Sequence, residues 1–292
     1  MGKIGAAESG LGLGLKLGLE LQRRPAPVIV AVMKRLDIHE AKRAKESGAD
    51  ILELRIDLLE AKEKSVAKVK AFVAMLKNSQ SSAQMPIIIT NRRKEEGGAF
   101  TGTEAERIGM LSDILETAAA EEELVDAVDI EFFSPAAGKQ EILKRAKRRH
   151  IPVISSFHDF NGMPRREDIW GIITSMYKEG GSIAKIAVTP KTVNDALLLL
   201  ELTQKLSSEG KLVVTIGMGR VGRHLRVIAP LYGSALAYGF IEGENEKGEG
   251  VAPGQFSVKE LRNMMNKFQW NFEQTTNEKN LNSKFKTKRK VR

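Results

Sequence analysis

One lysine of this sequence lies in the middle of an apolar run. Lys185 stands between Ala184 and Ile186 in the run 183–189, whereas most other lysines lie in charged segments. An amine buried among aliphatic groups loses the solvation of its charged form, and a neutral amine is a nucleophile that can form a Schiff base with a carbonyl compound. A salt bridge to a carboxylate such as Glu53 would also explain a buried lysine, so both interpretations stay open.

His158 is the histidine best placed for proton transfer. It directly follows the run 152–157 and therefore falls at the carboxyl end of a predicted strand, where a barrel enzyme keeps its general acid or base. The other three histidines, His39, His150 and His224, lie in charged or basic segments and are expected to be solvated. We expect no metal site, because no second His or Cys stands at ligand spacing from His158.

Aliphatic and charged residues alternate along the run 51–57. The charged members are Glu53, Arg55 and Asp57. On a half-exposed antiparallel strand they would form a solvated face. On a barrel strand, which is covered on both sides, they must point into the barrel, where three charges are costly unless they pair or hold a ligand. We interpret them as ligand contacts, with structural pairing near the barrel floor as the alternative.

A charged, glycine-rich loop follows the run 86–90. Arg92 is placed to meet an anion or a hydroxyl group, and Glu96, which precedes Gly97 and Gly98, can orient a histidine. Charged loops are common on protein surfaces, so this segment alone is weak evidence for a site.

Short β-branched runs alternate with longer amphipathic segments from residue 28 onward, and these elements must position the side chains above. The runs cover residues 28–33, 51–57, 86–90, 127–133, 152–157, 183–189, 212–217 and 234–241. The helical candidates cover residues 38–47, 61–77, 104–120, 138–149, 167–179, 192–207, 221–231 and 258–268. Eight strand–helix units predict a single-domain α/β fold, and their number favours a closed (β/α)8 TIM barrel over an open doubly wound sheet. Both architectures place the chemistry at the carboxyl ends of the strands.

The two ends of the chain differ from the predicted barrel, residues 27–276. In the leader, residues 1–26, Leu stands at every odd position from 11 to 21 with Gly, Lys16 and Glu20 between, which favours a strand or a hairpin that closes the barrel bottom over a flexible leader. Residues 277–292 hold seven Lys and Arg with one Glu, which is typical of a disordered basic tail. These ends contribute +2 and +6 to the net charge of +9. The charge of the barrel therefore gives no reason to expect a nucleic acid partner.

The composition excludes several classes of site. The sequence contains no cysteine, which excludes disulfides, Cys-ligated zinc, iron–sulfur clusters and thiol nucleophiles. No apolar run approaches the roughly 18 to 20 residues of a membrane span. The glycine- and charge-interrupted start does not resemble a signal peptide. We therefore expect a cytoplasmic protein without a membrane partner.

Residues 217–222 form the pattern G-x-G-x-x-G after a predicted strand, with Glu242 about twenty residues later. This is the fingerprint of a dinucleotide site. The motif falls at the seventh of eight predicted strands, which leaves too little sheet for a nucleotide-binding half. We therefore expect no nucleotide cofactor.

In the order of these motifs the chain resembles the type I 3-dehydroquinate dehydratases of the shikimate pathway. The resemblance extends from about residue 28 to residue 268. Its motifs are Glu53-Leu54-Arg55, Arg92 with Glu96-Gly97-Gly98, His158-Asp159-Phe160, Lys185-Ile186-Ala187, Arg226, Gly233-Ser234-Ala235 and Ala252-Pro253-Gly254-Gln255. It implies a (β/α)8 barrel, usually a homodimer, that needs neither a metal nor another cofactor.

The resemblance implies catalytic roles for three residues. Lys185 would form an imine with the C3 ketone of 3-dehydroquinate, which acidifies the neighbouring C2 proton. His158 would take that proton and then donate one to the departing C1 hydroxyl, and Glu96 would hold the imidazole in position. The product would be 3-dehydroshikimate.

The resemblance also implies how the substrate is held. Arg226 would bind the carboxylate, with Gln255 beside it. The ring hydroxyls would be bound by Glu53, Arg55 and Arg92. The family usually carries Ser or Thr just before the Ala-Pro-Gly-Gln stretch, and here that position is Val251. The lost hydroxyl would weaken substrate binding or leave the loop differently placed.

Three other functions stay open on the sequence alone. Another Schiff-base barrel, such as a class I aldolase, is compatible with Lys185, and residues 217–222 would then have to bind its phosphate group. The same glycine-rich residues are the basis for a dinucleotide oxidoreductase. A nucleic-acid-binding module would depend on residues 277–292, whose single aromatic residue, Phe285, makes a base-stacking platform implausible.

Overall fold

Eight parallel strands enclose a barrel. The computed structural model describes residues 27–78, 83–116, 125–243, 250 and 252–268. The strands are β1 (Val28–Met33), β2 (Ile51–Arg55), β3 (Ile87–Thr90), β4 (Ala127–Glu131), β5 (Val153–Asp159), β6 (Ile183–Val188), β7 (Val213–Gly217) and β8 (Leu236–Phe240). They pair in the order β7-β6-β5-β4-β3-β2-β1-β8, and every pair is parallel. β7 meets the segment before β8 at a bridge between Val213 and Ser234, which brings the barrel close to closure. The predicted (β/α)8 barrel is confirmed.

Helices connect successive strands. They are α1 (Ile38–Glu46), α2 (Val66–Asn78), α3 (Glu104–Leu115), α4 (Ala136–Arg148), α5 (Arg166–Lys178), α6 (Val193–Ser208), the short α7 (Gly219–Gly222), α8 (Leu225–Leu231) and α9 (Val258–Phe268). Asp37 caps α1, and α3 and α6 begin with capping boxes at Thr103 and Thr192, whose side chains bond the first helical turn. None of the helices in the described ranges is long and apolar enough to cross a membrane.

The alternation along each strand divides the apolar residues between two layers. One set faces the barrel interior and includes Val30, Ile88, Ile154 and Val214. The other set packs between the strands and the helices. Both faces of the sheet are therefore covered by apolar packing. A charged side chain on a strand must find partners inside the barrel.

Several boundaries differ from those that the sequence predicts. The run 51–57 ends as a strand at Arg55, because Ile56–Leu58 turns into a 3-10 helix. Strand β5 continues to Asp159, so His158 is part of the strand rather than of the loop after it. The predicted helix 221–231 is two short helices, α7 and α8. The leader 1–26, residues 269–276 and the basic tail 277–292 lie outside the described residues.

The glycine-rich segment 217–222 serves chain packing. A Cβ atom on Gly217 would lie 2.5 Å from the carbonyl oxygen of Gly222, and a Cβ atom on Gly222 would lie 2.6 Å from the carbonyl carbon of Gly217. Only glycine allows the backbone to approach itself so closely between β7 and α8. This close approach explains the two outer glycines of the motif without a nucleotide.

Candidate active site

The candidate side chains predicted from the sequence line one cavity. It opens among the carboxyl-terminal halves of the strands and the loops that follow them. All eight candidate residues line it: Glu53, Arg55, Arg92, Glu96, His158, Lys185, Arg226 and Gln255. Residues that are scattered from β2 to the segment before α9 thus form one polar pocket, as expected at this end of a barrel.

Lys185 is buried on β6, with 3% of its surface exposed, and its amine is ion-paired. Its Nζ donates to Oδ2 of Asp129 at 3.0 Å, and Oε1 of Glu53 lies 3.8 Å away. The aromatic ring of Tyr238 covers the amine, with its centroid 4.2 Å from Nζ. The paired interpretation therefore describes this state, although the closer carboxylate is Asp129 and not Glu53.

Asp129 and Arg92 form the centre of the charge network around the lysine. Arg92 donates from Nη1 to Ser156 at 2.6 Å, and its Nη2 lies 3.0 Å from Oδ2 of Asp129. Burial by itself raises the pKa of Asp129, but the positive charges of Arg92 and Lys185 outweigh it and hold that pKa well below its usual range. Asp129 is therefore a carboxylate, which favours a cation at the position of the Lys185 nitrogen.

The sequence interpretation missed Asp129 and its neighbour Glu131. Both lie on β4, which alternates charged and apolar residues in the same way as β2. The argument that turns Glu53 and Arg55 into the barrel applies equally to this strand, so the signal was present in the run 127–133.

Glu131 connects the cavity to a helix outside the barrel. Its Oε1 accepts from Arg92 at 2.9 Å, and its Oε2 accepts from Arg107 of α3 at 2.8 Å. Arg107 also donates to Ser134 at 2.8 Å and pairs with Glu104 at 2.7 Å. An arginine on an amphipathic helix would be expected at the surface, yet only 1% of Arg107 is exposed.

We expect Arg107→Met to destabilise the fold by about 3 kcal/mol, because it leaves Glu131 buried with one of its two arginines missing. The measurement is the urea unfolding transition at neutral pH. The matched control is Arg166→Met, which removes a surface pair with Glu201 and should change the transition little. Equal shifts for the two variants would contradict a structural role for the buried network.

Arg55 is held by the residue two positions later. Asp57 accepts from Nε and Nη2 of Arg55 at 2.9 and 2.6 Å. It also accepts from the backbone N–H groups of Arg92 and Ala99, both at 3.1 Å. Asp57 lies in the 3-10 turn and does not line the cavity, so it orients Arg55 and the loop after β3.

His158, which is partly exposed, and the buried Glu96 form a pair on one side of Lys185. Oε2 of Glu96 accepts the backbone N–H of His158 at 2.9 Å and lies 3.1 Å from its Nδ1. Burial, together with the charges of Arg92 and Lys185, lowers the pKa of His158 well below its usual value. The imidazole is therefore neutral at pH 7. An ionised Glu96 fixes the proton on Nδ1 and leaves Nε2 free to accept one.

Glu96 itself titrates near neutrality. Burial raises its pKa to about 7, partly offset by the charge of Arg92. The glutamate ends a 3-10 turn that closes at Gly97 with φ at 78°. A Cβ atom on Gly97 would lie 2.4 Å from the ring of Phe160, so glycine lets that ring cover the turn.

Arg226 also lines the cavity but, unlike Arg92, has no carboxylate partner in the part of the chain that the structure describes. Its Nη2 donates to the carbonyl of Pro253 at 3.0 Å, and its Nε is buried with no hydrogen-bond partner among the described residues. Burial and the nearby Arg223 lower the pKa of Arg226 to about 10, so it remains a cation at pH 7. It is a cation with a free donor, which suits an anionic ligand. Gln255 lines the same cavity, whereas Val251 lies outside the described residues.

The arrangement combines an amine, a neutral imidazole with an orienting carboxylate, and a cation. Among the described residues there is no group of three His, Asp or Glu side chains arranged to hold a metal ion. Together these groups can add an amine to a carbonyl compound, move a proton at a neighbouring carbon and hold an anionic group of the same small molecule.

Comparison with known proteins identifies relatives along nearly the whole barrel. A model of the type I 3-dehydroquinase family matches residues 27–271. The 3-dehydroquinate dehydratase of Methanococcoides burtonii is 38% identical over 246 residues, which are 84% of this chain and 95% of that protein. That of Methanosarcina mazei is 37% identical, with 84% and 96% covered. Among solved structures, the type I 3-dehydroquinate dehydratase of Clostridium difficile with covalently modified comenic acid superposes with a TM-score of 0.72 at 29% identity, covering 84% of this chain and 93% of that one.

Proposed function

Because this chain belongs to the type I 3-dehydroquinase family, we propose that it dehydrates 3-dehydroquinate to 3-dehydroshikimate through an imine on Lys185, with His158 as general base and acid. The observation that carries the proposal is the juxtaposition of two groups. A lysine amine lies buried in the cavity between carboxylates, and a neutral imidazole lies on the next strand, since β5 pairs with β6.

The imine forms when the Lys185 nitrogen attacks the C3 carbonyl and its protons pass to the carbonyl oxygen. The resulting carbinolamine loses its oxygen as water and becomes an iminium ion. The iminium nitrogen carries a positive charge. The carboxylate oxygens of Asp129 and Glu53, 3.0 and 3.8 Å from Nζ, stabilise this charge. The site is electrostatically prepared for the iminium before substrate enters.

The dehydration step then moves one proton. The iminium withdraws electrons from C2, and Nε2 of His158 accepts the C2 proton to give an enamine. The enamine electrons expel the C1 hydroxyl, which leaves as water with the proton returned by His158. Hydrolysis of the conjugated iminium restores the amine of Lys185 and releases the enone product.

Binding groups hold the ring during these steps. Arg226 supplies a cation and the unpartnered Nε donor for the C1 carboxylate, beside Gln255. Glu53, Arg55 and Arg92 line the other side of the cavity, where the ring hydroxyls would lie. Arg92 already contacts three protein groups through Nη1 and Nη2. Its proposed contact with a ring hydroxyl would use one of the remaining N–H groups of the guanidinium.

A turnover assay with 3-dehydroquinate tests the proposal. We expect an ultraviolet absorbance from the conjugated enone to grow with enzyme concentration, without any added metal or nucleotide. A class I aldolase would instead cleave a carbon–carbon bond of a sugar phosphate. Absence of enone with the purified full-length chain would contradict the proposed reaction.

We expect protonation of Glu96 to cause the acid limb of the pH profile, the fall in kcat/KM at low pH. Below pH 7 Glu96 is protonated and can donate to Nδ1 of His158, which moves the imidazole proton to Nε2 and blocks the base. The value of kcat/KM should therefore fall as pH drops through about 7. Glu96→Gln should lower kcat by about 10²-fold and remove this limb.

The control for this prediction is Glu95→Gln in the same turn, whose side chain is 68% exposed and paired with Arg93. It should leave the pH profile unchanged. An acid limb near pH 7 that persists in Glu96→Gln would assign the titration to another group.

The homodimer and the cytoplasmic location that the sequence predicts remain proposals. Light scattering of the purified protein tests the first, with an expected mass of twice the 32.2 kDa of one chain.

A further inference from the structure

The proposed chemistry leaves the hydroxyl of one buried tyrosine unused. Tyr238 lies on β8, lines the cavity and has 6% of its surface exposed. Its Oη is buried and has no hydrogen-bond partner among the described residues. A buried hydroxyl without a partner is unfavourable, so this donor is available to a ligand.

Only two side chains that line the cavity carry such an unpartnered buried atom in the described ranges, Arg226 and Tyr238. The Nε of Arg226 is accounted for by the substrate carboxylate. Burial and the nearby Glu53 and Asp129 carboxylates raise the pKa of Tyr238 well above its usual value. Its hydroxyl therefore stays protonated and can donate.

The position of Tyr238 relative to Lys185 indicates which part of the substrate it meets. His158 lies on β5, the neighbour of β6, whereas β8 follows β6 and β7 on the other side. Carbons C2 and C4 are both bonded to C3. A ring that turns C2 toward His158 therefore turns C4 toward Tyr238. Glu53, 3.8 Å from Nζ of Lys185, can accept from a hydroxyl on C4 while Tyr238 donates to the same oxygen.

We propose that Tyr238 is a substrate-contacting residue whose hydroxyl donates to the C4 hydroxyl of the ring and whose aromatic face stabilises the positive charge on the Lys185 nitrogen. This inference rests on the proposed function. The second part follows from the distance of 4.2 Å between the ring centroid and Nζ, which is within cation–π range for an ammonium or an iminium ion.

Substrate analogues test the hydroxyl contact. For 3-dehydroquinate, Tyr238→Phe should lower kcat/KM about tenfold, the effect of one neutral hydrogen bond. For the 4-deoxy analogue the wild type and Tyr238→Phe should react equally, because the acceptor is already missing. For the 5-deoxy analogue the tenfold difference should return. The assignment would be overturned if Tyr238→Phe lowered kcat/KM by the same factor for both analogues, or if it did not lower kcat/KM for 3-dehydroquinate.

The aromatic contact is tested by reductive trapping with borohydride. With saturating 3-dehydroquinate, Tyr238→Phe keeps the ring and should trap the imine at the wild-type rate, whereas Tyr238→Leu should trap it about fivefold more slowly. Equal rates for Phe and Leu would overturn this part. Tyr177→Phe is the control, since its hydroxyl bonds the carbonyl of Leu212 at 2.9 Å and does not line the cavity. A wild type that makes no enone would refute the proposed function, whereas failure of the tyrosine contacts leaves wild-type turnover intact.

Discussion

Lys185→Ala is expected to lose turnover of 3-dehydroquinate by a factor on the order of 10⁵ or more, as for other enzymes that lose a covalent nucleophile. Without the amine no iminium can form, and the neutral ketone holds its C2 proton far more tightly. Initial rates of enone formation, measured at enzyme concentrations high enough to detect residual activity, give the factor.

One further variant separates loss of the amine from loss of its charge, and a second variant is a control. Lys185→Arg keeps a cation between Asp129 and Glu53 but cannot form an imine, so it should be as inactive as the alanine variant. Lys139→Ala removes another largely buried lysine, which pairs with Glu179 at 2.6 Å outside the cavity and should retain activity. A Lys185→Arg variant with near-normal turnover would show that the lysine acts only through its charge.

The second large effect is expected for His158. Replacement by alanine should lower kcat by about 10³- to 10⁴-fold, because the C2 proton then has no base and the C1 hydroxyl has no acid. The imine should still form, since the amine and its carboxylate partners are untouched. The variant should therefore accumulate a covalent adduct while producing little enone, a combination that general unfolding would not produce.

His39→Ala is the matched histidine control, because His39 lies exposed on α1. It should behave as wild type in both assays. Near-normal turnover of His158→Ala would transfer the acid–base role to another group. Loss of the adduct together with turnover would indicate that His158 is needed already for imine formation.

The eight strand–helix units could be predicted because each β-branched run is followed by an amphipathic segment of helix length, and their number favours the closed barrel. The same alternation predicts that Glu53 and Arg55 point inward. It fails at Asp57, because the strand ends at Arg55 and a 3-10 turn redirects the next side chains. Local periodicity contains no information about where such a turn begins.

The partners of the buried charges were harder to predict from the sequence. Lys185 lies closer to Asp129, at 3.0 Å, than to Glu53, at 3.8 Å, and this difference depends on strand register across β4, β5 and β6. Arg107 reaches Glu131 from a helix outside the barrel, and no spacing rule within α3 predicts that contact. Such pairings follow from three-dimensional packing, whereas the identity of the ionisable residues on each strand follows from the sequence.

Reductive trapping followed by peptide mapping tests the central claim most directly. Borohydride added to the full-length protein with 3-dehydroquinate should reduce the imine to a stable secondary amine on Lys185. Because trypsin does not cleave after an alkylated lysine, the adduct should appear on the undivided peptide 179–191 and the peptides 179–185 and 186–191 should diminish. An adduct on another lysine, or cleavage after Lys185 unchanged while the enzyme is turning over, would contradict the account.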